Sequence, residues 1–123
     1  MNIQLRKPNL LALSVLGSAL LTTGCVTAPT SLYQWEGYQP QIYEYFKGQG
    51  KGPEAQISTL EEGLQKIRAT GRMPPPGYHA HLGLLYSQIG KEDQVVQEFH
   101  TEQELYPEAA AYMNFLLSKK IAK

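Results

Sequence analysis

Hydrophobic positions along this chain fall into three regimes. Leu10 to Leu21 is an uncharged run of Leu, Ala, Val, Gly and Ser, and Val26 to Leu32 is small and polar with one proline. From Tyr33 onward the apolar residues recur at helical spacing. Pro40 suits a helix first turn, and the spacing predicts a short helix over 39–47, ended by Gly48-Gln49-Gly50-Lys51-Gly52. Pro53-Glu54 opens a second helix reaching Thr70, with Ile57, Leu60, Leu64 and Ile67 on one face and Gly71 as its C-cap. Met73-Pro74-Pro75-Pro76-Gly77 reads as a rigid spacer rather than as a ligand for a polyproline-binding domain. A third helix covers 78–89, with Leu82, Leu85, Tyr86 and Ile89 inward, and Gly90 ends it. The fourth runs over 92–106, with Val95, Val96, Phe99, Glu102 and Leu105 near its inner side, and stops at Pro107. The fifth covers 108–121, with Ala109, Tyr112, Met113, Leu116 and Leu117 inward and Lys119, Lys120 and Lys123 near the negative end of its dipole. The expected fold class is all-α.

The apolar run at the start belongs to a different kind of segment. Met1 to Asn9 is basic, with Arg6 and Lys7, and the twelve residues that follow are too few for a membrane-spanning helix, which needs about 20. Polar Thr22-Thr23-Gly24 then interrupts the run. This is the layout of a secretory signal peptide, residues 1–24, removed on export.

Charge narrows the partners. The whole chain is neutral with eleven cations and eleven acids, and two of the cations lie in the leader, so the part after residue 24 has nine against eleven and carries −2. It lacks the basic surplus that neutralises phosphates, so nucleic acid is not an expected partner. The single cysteine, Cys25, excludes an intramolecular disulfide and any multi-cysteine metal site.

Leu21-Thr22-Thr23-Gly24-Cys25 resembles the bacterial lipobox, with Gly24 and Cys25 on its last two positions and Thr22 where Leu is usual. The resemblance implies diacylglycerol on the Cys25 sulfur, cleavage before it and acylation of the new amine. Two or more acyl chains anchor stably where one binds marginally. In such proteins Asp after the cysteine holds the product in the inner membrane; Val26 here implies the outer membrane, facing the periplasm. Residues 25–32 are then the acylated cysteine and its tether, whose last seven residues reach at most about 25 Å. The helical domain occupies 33–123.

Leu82-Gly83 with Tyr86, Gly90, Phe99 and Pro107 resembles a tetratricopeptide repeat, although His79 stands for its Trp, Val95 for an Ala and Glu102 for a small residue. Residues 38–69 read as a degenerate first repeat and Glu108 onward as a capping helix: about two repeats plus a cap, with 71–77 stretching the roughly 34-residue period. By that analogy the first helices line a partner groove, through Ala80, Leu84, Ser87, Gln88 and Tyr45. The mature chain also resembles a family of small uncharacterised bacterial lipoproteins, through Leu32-Tyr33-Gln34-Trp35, Pro75 to Tyr86 and Phe115-Leu116-Leu117. That resemblance implies envelope-protein partners, among them a curli-channel-like lipoprotein and another small lipoprotein.

Six of the twelve aromatics crowd into residues 33–46. Their expected role is to pin the first helix onto the next one; the alternative is a platform for glycan or peptidoglycan, with Trp35, Tyr38 and Tyr43 stacking on sugar rings. His79 and His81 point to nearly opposite sides of one helix, one toward the seam and one toward the groove. With His100 on another helix they complete no zinc set. No nucleophile elbow, phosphate loop or HExxH occurs. Glu61-Glu62 and the series Glu98, Glu102, Glu104, Glu108 read as solvated faces. The expectation is a non-catalytic binding or assembly module without a cofactor beyond the lipid on Cys25.

Overall fold

The structure, a computed structural model, describes residues 31–48 and 50–121, within a unit running from Ser31 to Lys123. The leader, Cys25, the tether up to Thr30 and the side chains of Lys120 and Lys123 lie outside the described residues. Five helices follow one another: α1 (Tyr38–Lys47), α2 (Pro53–Ala69), α3 (Tyr78–Gln88), α4 (Glu92–Leu105) and, after a 3₁₀ turn at Pro107–Ala109, α5 (Ala110–Ile121). The described residues contain no strand, only an isolated parallel bridge between Tyr33 and Met73. The protein is all-helical over this range.

Each boundary has a local cause. Pro53 occupies the first turn of α2, where its missing N–H has no intrahelical partner, and Glu54 complements the helix dipole. Gly71, at φ +66°, turns α2 off in a Schellman motif: its N–H donates to the Arg68 carbonyl and that of Arg72 to the Ile67 carbonyl. Gly90 ends α3 in the same way, through the carbonyls of Ser87 and Tyr86.

The core collects the four expected positions of α2, Ile57, Leu60, Leu64 and Ile67, with Tyr78, Leu82, Leu85 and Tyr86 of α3. Val95 and Phe99 of α4, Met113 of α5 and Tyr38 of α1 complete it. Helix α3 is central: it packs against α2 and, most extensively, α4, and α4 packs on α5. A Cβ at Gly83 would overlap the Phe99 ring, so the absence of a side chain there sets how closely α3 approaches α4. Gly63 does the same for α2, where a Cβ would stand 2.5 Å from the Tyr78 hydroxyl and 2.8 Å from the Glu36 carbonyl oxygen.

Two expectations are corrected and one is extended. Val96 and Tyr112 face outward at 39% and 59% exposure, because α4 buries the narrower line Val95–Phe99–Glu102 and Tyr112 stacks on Phe115 on the outside of α5. Helix α1 packs on α2, the next helix, as expected, and Tyr38 also ties it to α3, lying 4.7 Å from Tyr78 in a stacked pair. Glu102 is not on a solvated face: it is 2% exposed, while Glu98 is half-buried.

Candidate interaction surface

The start of α3 is held by side chains from elsewhere. Pro74 and Pro75 are buried, and the Tyr106 hydroxyl donates to the Pro74 carbonyl. Tyr33 meets the Tyr106 ring edge-on at 6.1 Å, and the Gln34 N–H donates to the Met73 carbonyl at 2.9 Å. The proline run is thus a clamped connector. Gly77, at φ +88°, swings the chain into α3. Its N–H donates to the Glu102 carboxylate at 2.6 Å, and the N–H groups of His79 and Ala80 do so at 3.2 and 3.3 Å. No side chain of α3's own N-terminus caps it; a carboxylate from α4 does, placing an anion at the positive end of the dipole. His79 Nδ1 lies 2.5 Å from the Glu98 carboxylate, inside the α3–α4 seam.

The other side of α3 carries an aromatic ladder. Trp35 stacks on Tyr38 at 6.2 Å, and Tyr38 on Tyr78, whose hydroxyl donates to the Leu60 carbonyl at 2.8 Å. Burial pushes the phenols of Tyr38 and Tyr78 well above their ordinary range, and that of Tyr106 up to about 12. Beside the ladder, α1 and α3 form an open apolar hollow of about 170 Å³, lined by Tyr38, Ile42, Tyr45, Phe46, Ala80, His81 and Leu84. The Tyr45 ring meets His81 edge-on at 5.1 Å. His81 is 6% exposed, neither ring nitrogen has a hydrogen-bond partner, and burial lowers its pKa.

A second hollow, about 330 Å³, opens on the opposite flank of the same helix face, between α3, α4 and α5. Leu84 and Ser87 line it with Val95, Phe99, Leu116 and Lys119. Leu84 therefore belongs to both hollows. Of the residues expected to meet a partner, Tyr45, Ala80 and Leu84 come together in the first hollow and Leu84 and Ser87 in the second. Gln88 is exposed and lines a third depression with Tyr45 and Gln56. Ile42 and Phe46, which the sequence reading did not single out, complete the first wall; their signal was a 3–4 spacing with Tyr45 and Tyr38 on α1.

The rings considered for sugar stacking are dispersed in role. Tyr38 is buried in the ladder, Trp35 is partly exposed above it, and Tyr43 is exposed with the Lys47 ammonium 5.5 Å over its ring. Among the described residues no group of three His, Cys, Asp or Glu side chains could hold a metal ion, and no helix is long and apolar enough to cross a membrane. Comparison with curated proteins and with solved structures yields no match. A family model described as a domain of unknown function, DUF4810, matches residues 32–116, and with most of its length covered the chain belongs to that family.

Proposed function

We propose that this chain is a lipid-anchored, non-catalytic assembly module. In this reading Cys25 is acylated, the domain is held at the periplasmic face of the outer membrane, and the helices act as two tetratricopeptide-like hairpins with a cap. The partner is another envelope protein, bound along α3; the lipoprotein resemblance points to a curli-channel-like lipoprotein and a further small lipoprotein. One observation supports the binding surface most: Leu84 is shared by two hollows on one helix face, with Phe46 at the rim 81% exposed. Apolar side chains left open around a concavity are the usual mark of an interaction site.

The test is crosslinking in intact envelopes, comparing wild type with Cys25→Ser, Phe46→Asp and Ser87→Arg. Both groove positions are exposed, so these two changes spare the core. Labelled fatty acid should enter the wild type and not Cys25→Ser, and the partner crosslink should fall in both groove variants. Absence of fatty-acid uptake by the wild type removes the anchor, and unchanged crosslinks in both groove variants remove the surface. The exposure of Trp35 and Tyr43 keeps one second reading, peptidoglycan or polysaccharide binding. Retention of glycan by the wild type without protein capture, lost in Trp35→Ala, would establish it instead.

A further inference from the structure

Where the chain enters the helical domain, its surface is apolar. Leu32 is 80% exposed, and Trp35 and Met73 are 42% exposed each. The backbone holds these residues at one place. Tyr33 forms the parallel bridge with Met73, the Gln34 N–H donates to the Met73 carbonyl at 2.9 Å, and the Thr70 hydroxyl donates to the Gln34 side chain. Trp35 is steadied by its stack on Tyr38 at 6.2 Å. None of Leu32, Trp35 and Met73 lines a hollow on α3, so the partner surface proposed above does not account for them. The charges beside them nearly cancel. Lys66 pairs with Glu62 at 2.8 Å and feels the Glu36 carboxylate, Arg72 adjoins Met73, and Arg68 lines a hollow with residues of α4 instead.

We propose that this patch rests on the phospholipid surface in which Cys25 is anchored, with Leu32, Trp35 and Met73 in the interfacial layer and Arg72 at the level of the phosphates. This contact presupposes the anchor reading above and adds a second, non-covalent attachment to it. The occupant follows from where the chain leads: Leu32 stands seven residues after Cys25, so the patch lies at most about 25 Å along the chain from the acylated sulfur. A tether this short sets an effective concentration on the order of millimolar, so a patch too weak to bind a bilayer by itself is occupied once the lipid is attached. Tryptophan suits this layer because its ring is apolar and its one N–H can face the wet side. Leucine and methionine add apolar contact, and a guanidinium can reach phosphate from an apolar footing. A basic patch would select anionic headgroups; with the charges cancelling, the contact is with the apolar–polar boundary that every phospholipid offers.

Trp35 is the one tryptophan of the chain, so its fluorescence reports the contact directly. The acylated mature chain is reconstituted in vesicles of phosphatidylethanolamine and phosphatidylcholine, with or without phosphatidylglycerol, containing lipid brominated either near the headgroup or near the chain end. Lipid brominated near the headgroup should quench about half of the Trp35 emission, the occupancy of a millimolar contact at millimolar effective concentration. Lipid brominated near the chain end should quench less, and phosphatidylglycerol should change neither. The double variant Leu32→Asp, Met73→Asp keeps the anchor and should lose the quenching. Both positions are exposed, so the variant should fold, which circular dichroism checks. An unquenched wild type, equal quenching in the double variant, or a requirement for phosphatidylglycerol overturns the proposal. A wild type that takes up labelled fatty acid and stays unquenched loses this contact and keeps the anchor; one that takes up none loses both. If peptidoglycan fragments change the Trp35 emission and bromolipid does not, the patch belongs to the glycan reading instead.

Discussion

Glu102 is the side chain whose removal should cost this fold most for its size. In Glu102→Ala the N–H groups of Gly77, His79 and Ala80 lose their common acceptor at the buried start of α3. The 2.6 Å bond from Gly77 is a charge-assisted one, worth about 1.5–3 kcal/mol, and each of the two longer bonds about 1 kcal/mol. Water entering the vacated space restores part of this, which leaves a loss of about 3 kcal/mol. For a domain of this size each kcal/mol moves the melting midpoint by about 4–8 °C, so the expected fall is roughly 12–24 °C. Glu102→Gln keeps one oxygen as acceptor and loses the charge, and should cost about half as much. Glu104→Ala, at an exposed position two residues on, is the control and should stay within about 0.5 kcal/mol. Urea unfolding followed by circular dichroism, in a Cys25→Ser background, compares the three midpoints, and an unchanged slope shows that the folded and unfolded states are otherwise the same. If Glu102→Ala moves the midpoint no further than Glu104→Ala, the cross-helix cap is not what holds α3.

Other outcomes follow from the same geometry. Gly83→Ala should destabilise by about 1–2 kcal/mol despite alanine's better helix propensity, because overlap with Phe99 outweighs it, and Phe99→Leu should relieve the loss in a double-mutant cycle. Tyr106 has its folded pKa raised to about 12, chiefly by burial, so its contribution is complete below its unfolded value near 10 and lost as pH climbs from there toward 12. Tyr106→Phe should cost about 1 kcal/mol at neutral pH and flatten the stability curve over that alkaline window. Burial depresses the pKa of His81, so the unfolded chain binds this proton more readily, and stability should fall as pH drops below about 6.5. Chemical unfolding at several pH values should show that part of the slope missing in His81→Phe.

Sequence periodicity was sufficient for the helices because their boundaries are local events. Pro53, Gly71, Gly90 and Pro107 act within one turn of where they stand. It was also sufficient to separate His79 from His81, since residues two apart on a helix cannot share a face; the first lies in the seam with Glu98 and the second in the groove with Tyr45. What periodicity could not supply were partners distant in sequence. Two patterns disagreed on Glu102: helical spacing put it on the inner side, and the run of acids put it in water. Spacing prevailed because the buried donors of α3 lie 22 to 25 residues earlier in the chain. The hollow was half legible. Ala80, Leu84 and Tyr45 were named only through the repeat resemblance, whereas Phe46 and Ile42 depend on how α1 leans on α3 through the Tyr38–Tyr78 stack.

The clamp at the connector has a mechanical side. Just inside the domain's N-terminal end, Gln34 is bonded through its backbone to Met73 and through its side chain to Thr70, while Tyr33 leans on Tyr106. Tension arriving along the chain at Leu32 is therefore borne first by the connector and the far end of α4, before it reaches α1. The wall of the hollow on α1 lies downstream of that load. A domain pulled from its N-terminal side can strain at this knot while the α1–α3 surface keeps its shape.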